Sequence, residues 1–338
     1  MSRLAWKRGN IAVFIVVGML GSCLPKDSRP PPAKIWVQVS ADDALKKGFL
    51  TDDGWRIEFN RFLMTLGRAS IDGDPCNAYS EGDYERVLDL QQPSAQKLSL
   101  MYGLGTCDFG FSITHPRSDT VIGTGVSGAE ALMMQTAGSD IYTAWSGQLT
   151  GIVTYVVGTA TRGSETKHFT WPFRQDLFLQ TCSVSTDAGS QAGLVLHGLD
   201  SVIVDLQVRG EGLFQFGPAS LAFDPIAAAD TNYGNNDGQV TLEELGQVPA
   251  TVSGNIGGVV FVDGGIVVQP GDLDAGVVFP DLDAGRVDAG QGLPNTHTPL
   301  TAPQTLGDFM VYWLLPASVR FQDTGSCSRY ISRSRRGG

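Results

Sequence analysis

Cys107-Asp-Phe-Gly-Phe-Ser-Ile-Thr114 is the stretch that decides the fold class of this chain. Its apolar side chains stand at every second position and alternate with polar or small ones, which is the period of a half-buried β-strand. Residues 55–60 and 202–209 show the same alternation, and turns rich in Gly, Asp and Ser separate such stretches. The sequence therefore predicts a mostly β fold, an antiparallel β-sandwich, with one small helical insert.

Composition supports this prediction and limits the partners. The 338 residues include 42 Gly, and 17% are charged, as expected of a β protein rich in glycine turns. The formal net charge is −11, and a mature chain without residues 1–22 would carry 21 Lys and Arg against 35 Asp and Glu, or −14. Such an acidic balance argues against nucleic acid as a partner. Residues 329–338 are interpreted as a solvated basic tail.

The N-terminus has the order of a bacterial lipoprotein signal. Basic residues precede an apolar run at 11–20, and Leu20-Gly-Ser-Cys23 follows. Residues 1–22 are predicted to be a signal peptide, and Cys23 to be the lipidated first residue of the mature chain. A transmembrane helix is one alternative, although about 20 apolar residues are needed to span a bilayer. A cleaved signal without lipid is the other.

A lipid on Cys23 predicts attachment to a membrane of the cell envelope. The next residue is Leu24 rather than the Asp that resembles an inner-membrane retention signal. This favours an outer-membrane lipoprotein that faces the periplasm or the exterior. Residues 23–39 are predicted to be the lipid anchor and a Pro-rich tether, because polyproline segments are stiff and extended.

Four cysteines remain after Cys23, an even number that favours two disulfides in an oxidising compartment, with three possible connectivities. Cys107 lies on a predicted strand and Cys76 in a turn one strand earlier. The expected pairs are therefore Cys76–Cys107 and Cys182–Cys327, and the second would pin the C-terminus to the core. No Cys-His context favours a catalytic thiol.

The mature chain is predicted to contain one large domain with an insertion. Residues 40–252 form the β-sandwich, and residues 253–305, rich in Gly, Val, Asp and Pro, form a low-complexity linker or loop. Residues 306–328 close the domain. Thr305 and Asp308 are placed to cap a helix at 305–315, although a buried strand fits this segment nearly as well.

An acidic loop within residues 224–246 resembles an EF-hand. Asp237-Gly-Gln-Val-Thr-Leu-Glu-Glu244 matches the second half of such a calcium loop. On this interpretation Asp237 and Glu244 provide carboxylates, and Gln239 provides its backbone carbonyl. Thr241 and Glu244 are also placed to cap the helix that follows the loop. The alternative is an Asn/Gly/Asp turn whose Glu residues merely begin a helix.

The first half of the loop departs from the EF-hand pattern. The usual spacing places Tyr233 and Asn235 at the first and third ligand positions, and tyrosine is no calcium ligand. In the preferred alignment Asp230 and Asn232 are those ligands, and three extra residues bulge out before Asp237. The sequence thus predicts a weak calcium site with a structural role, after a helix that begins with Asp224 as its cap.

Other constellations are predicted to be structural. Gly123-Thr-Gly-Val-Ser-Gly128 mimics a dinucleotide-binding turn, but no βαβ pattern surrounds it, which favours a glycine loop before a short helix. The four histidines lack metal-ligand spacing, and no Gly-x-Ser-x-Gly nucleophile elbow is present. The chain is therefore predicted not to be an enzyme.

Residues 55–113, with Arg86-Val-Leu-Asp-Leu and Tyr102-Gly-Leu-Gly-Thr-Cys-Asp-Phe, resemble a group of uncharacterised myxobacterial lipoproteins. The resemblance covers most of the mature chain through short motifs and implies a β-sandwich of transthyretin-like character with a calcium loop. Arg209-Gly-Glu-Gly-Leu-Phe stands where some relatives carry a His-rich stretch, so a metal site there is not carried over. The later motifs are Lys167-His-Phe-Thr-Trp, Gly212-Leu-Phe, the loop at 237–245 and Gly325-Ser-Cys.

These observations predict a lipoprotein of the cell envelope, a calcium-stabilised binding or structural module whose ligand the sequence does not indicate. Its expected partner is the membrane, through the N-terminal lipid. Two alternatives stay open: a periplasmic metal carrier resembling copper- or methanobactin-associated sandwich proteins, and a periplasmic hydrolase.

Overall fold

The computed structural model describes residues 30–79, 82–136, 138, 151–186, 189–217, 220–252, 258–262, 265–269, 297–298 and 305–332. The chain divides into two units, Met1–Pro31 and Pro32–Gly338, and the second contains the folded domain. The predicted signal peptide, Cys23 and the first part of the tether lie outside the described residues, as do residues 333–338 of the basic tail. Residues 329–332, predicted to belong to that solvated tail, are instead part of the last strand, Ser326–Ser332, which pairs with the strand Leu177–Thr186.

The mostly β fold is confirmed: strands hold 51% and helices 20% of the described residues. Among these residues seventeen strands join into one curled sheet, which is mixed rather than wholly antiparallel. Most neighbours run antiparallel, but β1 is parallel to β13, β5 to β7 and β9 to β16. The strands of this sheet are β1 (Ala33–Ala41), β2 (Phe49–Leu50), β3 (Arg56–Asp72), β4 (Asn77–Ala78), β5 (Gly82–Asp89), β6 (Gln96–Ile113), β7 (Val121–Ile122), β8 (Thr154–Arg162), β9 (Glu165–Phe173), β10 (Leu177–Thr186), β11 (Gly189–Ala192), β12 (Leu194–Leu196), β13 (Ser201–Val208), β16 (Gln239–Thr241), β20 (His297–Thr298), β21 (Val319–Phe321) and β22 (Ser326–Ser332).

The domain begins earlier than the sequence predicts. Residues 33–39, assigned to the tether, are part of β1, which pairs with both β6 and β13. Ile35, Val37 and Val39 alternate along this strand and are buried. The Pro-rich run ends at Pro32, immediately before the strand, so the predicted tether extended too far along the chain.

The long strand β6 belongs to both halves of the curled sheet. Its first part, from Gln96 to Gly103, pairs with β1, and its second part, from Asp108 to Ile113, pairs with β3. Between them Gly105 adopts a φ of +99°, and a Cβ there would lie 2.5 Å from the Pro75 carbonyl oxygen. Glycine permits this conformation and this close approach at the point where β6 passes from β1 to β3 as its partner.

The core between the two halves is aromatic. Phe169 stacks on Trp171 with 4.3 Å between ring centroids, and Phe214 packs against both rings. A smaller cluster, which includes Leu63 and Met134, joins the helix at 128–135 to the opposite face of β3. Burying one such side chain contributes about 1.5–3 kcal/mol, so the core is the main source of stability.

The helices are short, and the helical segment from Leu306 to Leu315 is part of the buried core. Thr305 and Asp308 form a capping box, which confirms the predicted helix start, and the helical segment runs on through Pro316 to Ala317. The α-helices are α1 (Asp43–Lys47), α2 (Gly128–Gln135), α3 (Asp224–Asn232), α4 (Leu242–Leu245), α5 (Leu306–Phe309) and α6 (Leu315–Ala317), with a 3-10 turn at Gly210–Phe214 and a π turn at Met310–Leu314.

Two small sheets complete the described structure. One is the pair β14 (Gln215–Gly217) and β15 (Ser220–Leu221); the other contains β17 (Ala250–Val252), β18 (Gly258–Val262) and β19 (Gly265–Gln269). The low-complexity segment 253–305 therefore contains an antiparallel hairpin of β18 and β19, which the sequence interpretation missed. Its Val-rich runs on either side of Asp263-Gly264 are a hairpin signal that composition alone obscures.

Within the described ranges, no helix combines the length and the apolar character needed to cross a bilayer.

Candidate functional site

The helix that leads into the predicted calcium loop is held by a neighbouring turn. Asp53 Oδ2 accepts hydrogen bonds from the backbone N–H groups of Phe223 and Asp224, at 2.7 and 2.6 Å. Asp224, predicted to be the cap, lies instead inside the first turn of α3, where its Oδ1 accepts from Trp55 Nε1 at 2.9 Å and from Arg162 at 2.7 Å. A side chain 171 residues away in sequence thus caps α3.

Asp230 lies near the end of α3 and is fully buried. Its Oδ1 accepts a hydrogen bond from the backbone N–H of Asp237 at 3.1 Å, and its Oδ2 accepts one from Gly238 at 3.1 Å. The ammonium of Lys167 donates to the same Oδ2 at 2.7 Å. The predicted first calcium ligand therefore closes the loop by binding protein donors.

Lys167 reaches this position because of the alternation along β9. It lies on the same side of the strand as Phe169 and Trp171, which face the core, and its exposed fraction is only 5%. A buried ammonium is costly unless it is paired. Asp230 pairs with it, and the sequence interpretation missed this ion pair, although the inward position of a lysine in β9 was a signal for it.

Asp237 lies on the surface of the loop. Its Oδ1 accepts from the backbone N–H of Gln239 at 2.8 Å, and its Oδ2 accepts from Asn235 Nδ2 at 3.0 Å. These two hydrogen bonds hold the pKa of Asp237 below its ordinary value. Gln239 begins β16, which pairs in parallel with β9 opposite His168.

Glu244 is buried and acts as a helix-capping residue. Its Oε2 accepts from the backbone N–H of Thr241 at 2.9 Å, while Thr241 Oγ1 accepts from the N–H of Glu244 at 3.2 Å. The two form the predicted capping box of α4. Gly234 lies directly against this carboxylate, since a Cβ there would be 1.9 Å from Glu244 Oε1.

The two alignments proposed for the first half of the loop place the first and third calcium ligands at Tyr233 and Asn235 or at Asp230 and Asn232. Asn232 is the last residue of α3 and is exposed, whereas Tyr233 ends the helix and donates its backbone N–H to the Ala229 carbonyl at 2.9 Å. The chain then turns at Asn236, which has a φ of +54° and donates its N–H to the Asp230 carbonyl. The inserted residues thus form a turn that folds back onto Asp230.

These residues do not fit a preformed calcium site. Calcium requires six to eight oxygens, and the ammonium of Lys167 lies 2.7 Å from the first carboxylate, where it opposes a second cation. Glu244 is engaged in the cap of α4. In the described part of the chain no group of three or more His, Cys, Asp or Glu side chains could hold a metal ion. Calcium binding stays a prediction, and the geometry does not favour it.

The predicted disulfides are confirmed. Cys76 is bonded to Cys107, and Cys182 to Cys327. Cys107 and Cys182 are fully buried, and Cys327 nearly so. Because all four sulfurs are paired, none of these cysteines is a thiolate that could bind copper.

A histidine–carboxylate pair lies at another edge of the sheet. His115 Nδ1 is 3.0 Å from Asp176 Oδ1, which also accepts the backbone N–H of His115 at 2.9 Å. The hydrogen bond with Asp176 raises the pKa of His115, although burial acts in the opposite direction. Such a pair can orient an imidazole for catalysis, but the Ser–His or Cys–His arrangement of covalent catalysis also needs a side-chain nucleophile beside it. Among the described residues, no hydroxyl or thiol is hydrogen-bonded to this imidazole.

The glycine loop at 123–128 is fixed by hydrogen bonds and ion pairs of one arginine, Arg61. Arg61 binds both carboxylate oxygens of Glu130 at 2.8 Å, Asp89 Oδ2 at 2.8 Å and the Gly125 carbonyl at 2.7 Å. Ser127 caps α2 in a capping box with Glu130. The guanidinium fixes the loop, which confirms the glycine loop before a short helix.

No protein-family model matches this chain, and comparison with curated proteins and with solved structures also finds no match.

Proposed function

We propose that this chain is an exported lipoprotein of the cell envelope that acts as a disulfide-braced binding or structural module. The observation that carries the proposal is the pair of disulfides, Cys76–Cys107 and Cys182–Cys327, in which Cys76 is partly buried and the other three cysteines are buried. Disulfides form and persist in oxidising compartments and are rare in the reducing cytosol. Each pair includes at least one fully buried cysteine of a core strand, Cys107 or Cys182, which favours a stable structural role over redox chemistry.

The membrane partner is proposed from the sequence before the domain. Cys23 follows a segment with the order of a lipoprotein signal, and the first strand begins at Ala33. The nine residues between them include four prolines, and in a polyproline conformation they would reach about 28 Å. In this proposal the lipid anchors the protein to the outer membrane, and the tether holds the folded domain away from the lipid surface.

The packing of two tryptophans supports a structural role for them. Trp171 and Trp313 are 0% and 2% exposed and belong to the core. Calcium stabilisation is not part of the proposal, because Lys167 already neutralises Asp230.

Export and anchoring are tested by labelling cells with a palmitate analogue. The full chain is expected to take up the label and to sediment with the membrane fraction, whereas Cys23→Ser should lose the label. Ser22→Ala, which keeps a small residue before the cysteine, serves as the matched control and should retain it. Alkylation without reductant should find no free thiol at the four domain cysteines. Unlabelled protein in the cytosol with four reactive thiols would refute the proposal.

A further inference from the structure

We infer that Lys167 supplies, from within the chain, the positive charge that a bound calcium ion supplies in an EF-hand loop. The loop at 230–244 would then close without metal. This inference does not depend on export or lipidation, because it rests on the contacts of the folded domain.

Three donors surround the carboxylate of Asp230. Both of its oxygens are engaged: Oδ1 by the N–H of Asp237, and Oδ2 by the N–H of Gly238 and the ammonium of Lys167. A calcium ion in an EF-hand draws the first acidic side chain and the later part of the loop together. Here two backbone donors and one ammonium draw the same parts together.

The ion pair between Lys167 and Asp230 is buried. Asp230 has no exposed surface, and the side chain of Lys167 is 7% exposed. A carboxylate without a counter-charge is disfavoured in such a place, so Lys167 is required for the loop to close around Asp230.

The strand that carries the lysine also binds the loop through its backbone. β16 follows the loop and lies parallel to β9, where the N–H of His168 donates to the Gly238 carbonyl at 2.8 Å. Lys167 directly precedes His168 on β9, so neighbouring residues of one strand contact the loop, one through its ammonium and one through its backbone. The ion pair with Asp230 and the pairing of β9 with β16 therefore both stabilise the turn at Gly238.

The folded domain is accordingly expected to be insensitive to calcium. Thermal unfolding of the full chain is measured once in about 5 mM CaCl₂ and once in EDTA. This calcium concentration would fill a site with the weak affinity of extracellular calcium modules. The two melting temperatures are expected to agree within about 1 °C. A calcium-dependent rise of several degrees that disappears in Asp237→Ala would overturn the inference.

A double-mutant cycle tests the role of the ammonium. Lys167→Met should lower the melting temperature by roughly 5 °C or more, because it leaves the Asp230 carboxylate buried without a counter-charge. Lys167→Met combined with Asp230→Asn should recover part of that loss, since neither charge then remains. Losses that simply add would overturn the inference.

The matched control is the exposed pair Lys47–Asp43, whose 2.8 Å separation is nearly the same but whose side chains are 72% and 78% exposed. The cycle of Lys47→Met and Asp43→Asn should show no measurable coupling. If Lys167→Met does not fold, amine labelling of the wild-type protein replaces the cycle. Lys47 is then modified and Lys167 protected in the native state, and equal labelling of both would overturn the inference.

Discussion

Gly193 faces the carbonyl oxygen of Cys107 so closely that a Cβ on Gly193 would lie 1.9 Å from that oxygen. Its backbone N–H donates to the Cys182 carbonyl at 2.8 Å. One glycine therefore touches the backbone of a cysteine from each disulfide. Its φ of +63° is one that residues with a side chain rarely adopt.

Gly193→Ala is predicted to destabilise the domain more than an ordinary left-handed glycine replacement does. Gly163, with a φ of +61° and no heavy atom within 4 Å of an added Cβ, is the matched control. Gly163→Ala should cost about 1 kcal/mol, the conformational penalty alone. Gly193→Ala should cost at least about 2 kcal/mol more, because the strand must move away from Cys107. Equal losses in denaturant unfolding would contradict the close approach.

Removal of the two disulfides is predicted to have unequal effects. The sequence separation is 31 residues for Cys76–Cys107 and 145 for Cys182–Cys327. Loop-closure entropy then predicts losses of about 4 and about 5 kcal/mol, respectively. The Cys182→Ser/Cys327→Ser variant should therefore unfold at a lower denaturant concentration than Cys76→Ser/Cys107→Ser. A larger effect of the shorter loop would argue against this entropic origin.

The His115–Asp176 pair predicts a pH dependence near neutrality. The raised pKa of His115 in the folded state, caused chiefly by the hydrogen bond with Asp176, means that the imidazolium stabilises the fold. This stability is fully present below about pH 6.5 and is lost as the pH rises through the folded-state pKa. His115→Gln should therefore destabilise the protein at pH 5.5 and have less effect at pH 8.5.

His197→Gln is the control for that measurement. His197 also pairs with an aspartate, Asp200, at 3.3 Å, but its side chain is 77% exposed. His197→Gln should leave the difference in protein stability between pH 5.5 and pH 8.5 the same as in the wild type, because solvent screens an exposed pair. A loss of stability in His115→Gln that is constant from pH 5.5 to 8.5 would contradict the assignment.

The low pKa of Glu130 predicts that stability also depends on pH in the acid range. Partial burial acts to raise the pKa of Glu130, but the hydrogen bonds from Arg61 and Ser127 outweigh it and lower this pKa to about 2. The stabilisation is therefore present above about pH 4.5 and is lost as the pH falls toward 2. Glu130→Gln should cost about 1 kcal/mol at pH 6, a value reduced by solvent screening, and less at pH 3.

The exposed Glu165, whose carboxylate is 3.6 Å from Arg162, is the control for Glu130. Glu165→Gln should change stability little at either pH value, because solvent screens the pair. Chemical denaturation at pH 6 and pH 3 provides the comparison. A Glu130→Gln effect that grows as the pH falls would reverse the predicted sign.

Much of the fold could be predicted because alternation determines which face of a strand is buried. The stretch from Cys107 to Thr114 lies in β6 and the adjoining residue, and its apolar residues join the core as predicted. Ser112 and Thr114 on the other face are also buried, so this part of β6 is covered on both faces and is not half-buried as the alternation predicts. The disulfide pairs followed from strand proximity and from the even number of cysteines. Alternation does not say which strands become neighbours, so the parallel pairings of β1 and β16 could not be predicted from it.

The candidate site was predictable only in part. Local motifs identified the capping box of Thr241 and Glu244, because both partners lie within one helical turn. The partner of Asp230 lies 63 residues earlier in sequence, on a strand whose neighbours the motif does not reveal. The short helix that the motif predicts after the loop is α4, whereas the cation that Asp230 contacts depends on the tertiary fold.

The sharing of β6 between the two halves of the sheet determines how the domain can come apart. Its ends contribute hydrogen bonds to β1 on one side and to β3 and β10 on the other. If β6 detaches, β1 loses an antiparallel partner in one half of the sheet, and β3 and β10 lose one in the other half. The domain should consequently lose its structure as one cooperative unit, with amide protons in β1 and β10 exchanging through the same opening event.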